Sequence, residues 1–303
     1  MTEVVTIVMA TRNGAAHLPE QLASIAAQSH AAWRLFVSDD GSIDQTLAIL
    51  EEFSRDHPVQ IVAGPRGGAA ANFLSALCHP DLPPGPVALA DQDDVWLRGK
   101  LARGLRRMAA APGNGPLIYA AESLLVDAAL QPLRRSSANA AEPGFAAALC
   151  QNLFGGHTTM LNAEALALVR AAGPPQRLAY HDWWLYQLVA GAGGRLLLDP
   201  ALVARYRQHG ANALGGSGGG RGAWRRMAQG LDGTWGAQMS AQAAALQAVS
   251  RLLTPEAREV LEGFLDAPKG GPARALRLYR LGLRRSSRAG TALMLAAACL
   301  GRL

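Results

Sequence analysis

Apolar positions in the first ninety residues switch between two periods. Val4–Ala10 is a near-continuous apolar run rich in β-branched residues, the pattern of a strand covered on both faces. Leu18, Leu22 and Ile25 follow at helical spacing. The alternation then repeats. Leu35–Ser38 predicts a second strand, and Leu47, Leu50 and Phe53 a second helix, which Ser42 or Asp44 is placed to cap. Val59–Ala63 reads as a third strand, Ala69–Leu77 as a third helix, and Pro86–Ala90 as a fourth strand ending at Asp91. Strands alternating with helices of this length imply right-handed crossovers and an α/β architecture with a mostly parallel, Rossmann-like sheet flanked by helices.

The pattern is less regular beyond residue 96. Leu117–Val126 and Phe154–Leu161 read as strands, Gly144–Leu149 and Asp182–Val189 as helices, and Arg195–Leu198 and Leu202–Tyr206 as two late strands. Gly215–Gly222 is a linker by composition, with little to pack and much entropy to lose. It divides a domain at 1–215 from a helical extension at 216–303. Within the first, the pattern changes near residue 95, dividing about 1–95 from about 96–215. Helix-forming, Ala-rich segments span Met227–Leu253 and Pro255–Leu265.

Half of the 303 residues are apolar and 17% are charged, which suits a globular chain with one good core and excludes disorder. Cys78, Cys150 and Cys299 are far apart with no CxxC pair. A disulfide framework or structural zinc is therefore not expected, and a reducing cytoplasm is. The amino terminus lacks a signal-peptide pattern. No apolar run reaches the roughly 20 residues of a membrane span; Thr291–Leu300 is about half that. Charge is unevenly placed. Past residue 215 lie 13 of the 29 Lys/Arg but only 5 of the 23 Asp/Glu, so the overall net charge of +6 belongs to the tail.

In open parallel sheets, ligands bind beyond the carboxyl ends of the strands, and the polar clusters fall there. Thr11-Arg12-Asn13-Gly14 follows the first strand, Asp39-Asp40-Gly41-Ser42 the second, and Asp91-Gln92-Asp93-Asp94 the fourth. Three carboxylates within four residues repel one another. A hard cation, Mg²⁺ or Mn²⁺, would relieve that repulsion and share its shell with phosphate. A capped helix start explains Asp94 alone. Asp39 and Asp40 read either as an Asx turn or as acceptors for a uracil or thymine imide or a ribose. Asp182 opens a helix, where a first-turn acid is common. Trp183 and Trp184 fit a core. Gly155-Gly156-His157-Thr158 suits close backbone approach to a ligand.

In this order, ATRNG at 10–14, VSDDGSID at 37–44, ALADQDDVW at 88–96 and HDWWL at 181–185 resemble the family-2 inverting glycosyltransferases of GT-A fold. The resemblance spans about 3–212. Gly68, Asn72-Phe73 and Tyr206–Asn212 make it most like the bacterial branch that includes rhamnosyltransferases of surface-polysaccharide assembly. It implies that Asp39 binds the pyrimidine, and that Thr11, Asn13, Asp40 and Asn72 line the nucleotide pocket. Asp91 meets the ribose, Asp93 holds the metal, and His209 stands near metal or diphosphate. Asp182 is the general base. Gln92, Asp94, Trp96, Gly156, His157, Thr158, His181, Trp183 and Trp184 fall to donor or acceptor contacts. The implied donor is a dTDP- or UDP-sugar, and the implied acceptor a glycan or lipid-linked hydroxyl. Arg12 stands where many relatives carry an aromatic, and His181 where Glu is commoner. A nucleotidyltransferase would want a Gly-rich, basic phosphate loop, for which Thr11–Gly14 is a poor substitute. A non-catalytic nucleotide-binding scaffold would not require Asp91, Asp93 and Asp182.

In the tail, Arg274, Arg277, Arg280 and Arg284 recur every three or four residues, with Leu276, Tyr279 and Leu283 on another face. A basic amphipathic helix over 273–288 suits an anionic membrane surface, at about 1 kcal/mol per basic residue near it. The competing reading is a helix packed on the main domain with its arginines in water. Nucleic acid is not indicated, since the tail has few aromatics and no recognised motif. The expected location is the cytoplasmic face of the inner membrane.

Overall fold

The computed structural model describes residues 3–136, 142–175, 178–208 and 233–303. Strands β1 (Val5–Thr11), β2 (Trp33–Asp39), β3 (Val59–Ala63) and β4 (Val87–Asp91) are parallel, in the order β3-β2-β1-β4. Helices α1 (Leu18–Ala26), α2 (Thr46–Phe53) and α3 (Ala69–Leu77) are the crossovers. Alternation along β1 serves both faces of the sheet: Val5, Ile7 and Met9 enter one core cluster and Val8 the other. Register places Thr11 beside Asp39 and Ala10 beside Asp91. All three polar loops therefore leave the sheet at one edge. Asp44 receives the Thr46 N–H at the start of α2 (3.0 Å), as its position implied. Ser42 instead turns back to Asp39.

Beyond β4 the sheet becomes mixed. Strand β8 (Met160–Leu161) runs antiparallel between β4 and β6 (Leu117–Val126), and β9 (Arg195–Arg207) lies parallel to β6. Two short strands finish it: β5 (Val95–Trp96) on β9 and β7 (Pro132–Arg135) on β6. Around them pack α4 (Lys100–Ala109), α5 (Phe145–Ala148), α6 (Ala163–Ala172) and α7 (His181–Gly191).

Two expected elements differ. The strand predicted over Phe154–Leu161 is a 3₁₀ turn at Gly156–Thr158 followed by the two residues of β8. The Gly155 carbonyl accepts from Thr158 N and from the Thr158 and Thr159 hydroxyls, each at 3.0 Å, and this closes the chain into a turn. The two late strands are one, β9, whose pairing with β6 shifts register near Asp199–Leu202. Asp199 stabilises that irregularity. It is 3% exposed and accepts from both Nε (2.7 Å) and Nη2 (2.8 Å) of Arg103, from Tyr119 Oη (3.1 Å) and from Ala201 N (3.1 Å). Burial would raise the Asp199 carboxyl; the hydrogen bonds from Arg103, Ala201 and Tyr119 outweigh it and hold it below its usual range.

The tail folds as α8 (Thr234–Ala248), α9 (Pro255–Leu265), α10 (Gly271–Arg280) and α11 (Arg288–Cys299). Met239, Leu246, Leu261, Phe264, Leu278 and Met294 share one apolar core with Trp184, Leu185 and Leu188 of α7. The linker and boundary expected near 215, and His209, lie outside the described residues. The basic helix is shorter than its pattern suggested. It stops at Gly282, whose φ of +82° is left-handed, and the Leu283 N–H returns to the Leu278 carbonyl (3.2 Å). Its faces are also rearranged. Arg274 turns inward, 6% exposed, onto the carbonyls of Ala267 (3.2 Å) and Pro268 (2.7 Å), whereas Leu276 and Tyr279 are each 49% exposed. No helix among the described residues is long and apolar enough to cross a membrane.

Candidate active site

The loops at the sheet edge are tied together before any ligand is considered. Asn13 N donates to Ser42 Oγ (2.8 Å), and Asn13 Oδ1 accepts from Ile43 N (2.9 Å). Gly14 N and Ala15 N donate to Thr46 Oγ1 (2.8 Å) and Asp44 Oδ2 (3.1 Å). The Gln92 side chain pairs with the backbone of Arg12 in both directions, at 2.9 and 3.1 Å. The side chains of Asn13 and Gln92 thus make the frame.

Above the frame opens a cleft of about 460 Å³. Its lining joins Thr11, Asp40, Asn72, Asp91 and Asp93, from the ends of the parallel strands and from α3, to Gly156, His157, His181, Asp182 and Tyr206 from the second half of the chain.

The paired aspartates after β2 separate by geometry. Asp39 Oδ1 accepts from Thr11 Oγ1 (2.9 Å) and Ser42 Oγ (2.6 Å), and Oδ2 from Gly41 N (3.1 Å) and Ser42 N (2.8 Å). That is about the full capacity of a carboxylate. Burial opposes its charge, but these bonds, Ser42 foremost, hold the Asp39 carboxyl below its usual range. Asp40 spends one oxygen on Gly68 N (2.8 Å), while Oδ1 is buried with no hydrogen-bond partner among the described residues. An orphaned buried acceptor on a cleft wall is where a ligand donor fits. Asn72 supports the end of β2 by donating to the Ser38 carbonyl (2.7 Å).

The acids after β4 form the most strained electrostatic group. Burial pushes the Asp91 carboxyl up to about 7, and repulsion from Asp93 and Asp182 adds to it against the charge of Lys100. Burial, then Asp91 and Asp93, also raise Asp94. Asp94 Oδ1 accepts from Arg207 N (3.1 Å), and Oδ2 is buried with no hydrogen-bond partner among the described residues. Asp91, Asp94 and His157 offer ligand atoms within 4.8 Å of one another, and Asp93 lines the same cleft. An oxygen-rich, under-compensated set of this kind fits Mg²⁺ or Mn²⁺. Arg207 fixes it from behind. Its Nε donates to the Asp93 carbonyl (2.9 Å), and its guanidinium also meets the Ala128 carbonyl and Glu20.

Asp182 sits in the first turn of α7. Its Oδ2 accepts from Gly156 N (2.9 Å) and its Oδ1 from Trp183 N (2.8 Å). His181 stacks on Phe73 with ring centroids 4.1 Å apart, and burial, against the pull of Asp182, lowers its pKa. His157 stacks on Tyr206 at 4.1 Å and meets Ser123 Oγ at 2.9 Å. Burial and then the Lys100 charge push His157 down to about 3, so it is neutral at physiological pH.

Three tryptophans assigned to donor or acceptor contacts are core residues: Trp96, Trp183 and Trp184 are 3%, 4% and 0% exposed. Trp183 Nε1 donates to the Ala148 carbonyl (2.6 Å). Thr158 is buried, its hydroxyl on Gly155 O. Lys100, 1% exposed against the acid cluster, is the site residue that the sequence pattern missed.

Residues 6–123 match the model of glycosyl transferase family 2. The chain is 30% identical over 224 residues to the dTDP-rhamnosyl transferase RfbG of Shigella flexneri, covering 68% of this chain and 73% of that one. Among solved structures it resembles Staphylococcus aureus TarS 1–349 (TM-score 0.57, 13% identity, 98% of this chain and 90% of that one). It also resembles the mannosyltransferase PcManGT of Pyrobaculum calidifontis in complex with GDP-Man and Mn²⁺ (TM-score 0.53, 19% identity, 100% and 87%). The architecture is the GT-A fold.

Proposed function

The chain belongs to glycosyl transferase family 2, and from that membership we propose that it transfers a sugar, with inversion, from a pyrimidine nucleoside diphosphate to a hydroxyl of a glycan or lipid-linked acceptor in surface-polysaccharide synthesis. One observation carries the reading: a carboxylate on a separate helix, Asp182 of α7, lines the same cleft as the Asp91–Asp93 acids that follow β4.

The roles follow from that placement. Asp40 Oδ1 accepts from the imide N–H of the base, with Thr11 and Asn72 beside it. Asp91 meets the ribose, and Asp93 stands toward the diphosphate end of the donor. A divalent cation would be held by Asp93, with Asp91 nearby, and would supply positive charge against the departing diphosphate. The bond to the anomeric carbon breaks as the acceptor oxygen attacks from the opposite face, through an oxocarbenium-like arrangement. Asp182 takes the hydroxyl proton. Burial lowers the pKa of both His157 and His181, which disfavours a positive charge on either ring beside the cation. A single displacement leaves the product with inverted configuration.

The likeness to RfbG supports dTDP-rhamnose as the donor. A calorimetric comparison of dTDP, UDP and GDP with Mn²⁺ tests the nucleotide class. Binding of dTDP or UDP at least about tenfold tighter than GDP is expected, from about 1.4 kcal/mol of base discrimination. Preference for GDP would overturn the pyrimidine assignment. Exposed Leu276 and Tyr279 next to Arg277 and Arg280 support work at the anionic cytoplasmic face of the inner membrane. Sedimentation with anionic but not with zwitterionic vesicles is the expected behaviour, and equal retention on both would contradict it.

A further inference from the structure

Lys100 stands where a lysine is doubly disfavoured. Its side chain is 1% exposed, and removing an ammonium from water is costly unless it is compensated. It is also the first residue of α4, where the helix dipole opposes a cation. An apolar residue would serve packing alone better. The ammonium instead lies 3.5 Å from the centre of the Trp96 ring and donates to the His157 carbonyl at 2.6 Å. That is the one hydrogen bond of its Nζ among the described residues. Burial lowers the Lys100 pKa well below its usual value, and the charges of Asp94 and then Asp91 oppose that shift.

The carbonyl it holds belongs to the turn that holds Asp182. Gly156, one residue earlier, donates its N–H to Asp182 Oδ2 (2.9 Å). The turn reaches the start of α7 so closely that a Cβ on Gly156 would lie 2.7 Å from His181 Nε2 and 3.3 Å from Asp182 Cβ. A path of contacts therefore runs from Lys100 through the His157 carbonyl and the Gly156 N–H to the Asp182 carboxylate, and the charges of Asp94 and Asp91 act on its Lys100 end.

We propose that Lys100 is a positioning residue, which locks the Gly156–Thr158 turn to the acid cluster and so sets where Asp182 stands relative to the donor's diphosphate end. The proposal rests on Asp182 acting as the base. The side chain touches neither donor nor acceptor. It fixes the turn whose Gly156 N–H holds Asp182, and small misplacement of a reacting group lowers rate more than affinity.

A double-mutant cycle between K100M and D182N tests it. K100M keeps the stem length and removes the charge and the hydrogen bond. It is expected to lower kcat about tenfold while the Kd for dTDP or UDP with Mn²⁺ stays within about twofold. In the D182N background K100M should lower kcat no further, because residues acting through one group are non-additive. Multiplied losses in the double variant, or an unchanged kcat in K100M, would overturn the proposal. If D182N itself retains full activity, the base assignment fails, and that outcome reads differently from additivity. Should K100M not fold, Gly156→Ala disturbs the same turn from its other end and is judged by the same cycle. A kcat loss absorbed by D182N supports the path, and a multiplied loss overturns it.

Discussion

Asp182→Asn lowers kcat about 10²–10⁴-fold, the range of a lost general base, while nucleotide affinity stays within about twofold. The amide is nearly isosteric and retains one oxygen for the Gly156 N–H, so the turn and α7 stay in place. It cannot accept a proton from the attacking hydroxyl. In the native chain each Asp182 oxygen accepts one backbone N–H, from Gly156 and Trp183. Each therefore keeps lone-pair capacity for the acceptor. The proposed nucleotide contacts, Thr11, Asp40 and Asn72, make no hydrogen bond to Asp182, so nucleotide binding has little cause to change. Initial rates at saturating donor and acceptor, with calorimetry for the nucleotide, separate the two effects. A kcat within threefold of the native value would remove Asp182 from the chemistry.

Asp40→Ala weakens dTDP or UDP binding by about 10- to 100-fold, and Asp39→Asn acts mainly on stability. Losing the partner of a buried ligand donor costs about 1–3 kcal/mol. Asp40 Oδ1 has no hydrogen-bond partner among the described residues, whereas Asp39 joins Thr11, Gly41 and Ser42 through four bonds. Base chemistry sharpens the test. Uracil and thymine present an imide N–H where cytosine presents an acceptor. The native protein should therefore prefer UDP to CDP, and Asp40→Ala should level that preference. Retained discrimination in Asp40→Ala together with its loss in Asp39→Asn would restore the role to Asp39.

The first half of the fold is legible in the sequence because each element is covered by apolar neighbours on a regular period. Val5, Ile7 and Met9 alternate with Val8 as a two-faced strand must. Helix α4 is obscured because KLARGLRRMA carries three arginines, one buried lysine and a mid-helix glycine. Gly104 is required there by contact, since a Cβ would lie 2.2 Å from Met160 Sδ. Strands of two residues, β5 and β8, are too short to show a period. The tail helices are recognisable, but a helical wheel gives relative faces and not which one turns inward. Arg274 and Leu278, one turn apart, are the buried pair.

The acid clusters are legible at the site because strand ends mark them, and Asp91, Asp93 and Asp182 do share one cleft. The division of labour between Asp39 and Asp40 is not legible. It depends on register, which sets Thr11 beside Asp39 and directs that carboxylate into the frame. Lys100 is hidden for a similar reason: a lysine in a polar helix reads as solvent-exposed until the acids that compensate it are placed around it.

The central claim is that a nucleoside diphosphate lies across this sheet edge with a cation at its phosphates and Asp182 facing its far end. A crystal structure with dTDP or UDP and Mn²⁺, the ion located by anomalous scattering, tests it most directly. The account predicts the base against Asp40, the diphosphate toward Asp93, and an anomalous peak bound by Asp93. A nucleotide seated outside the cleft, or manganese bound away from Asp93, would contradict it.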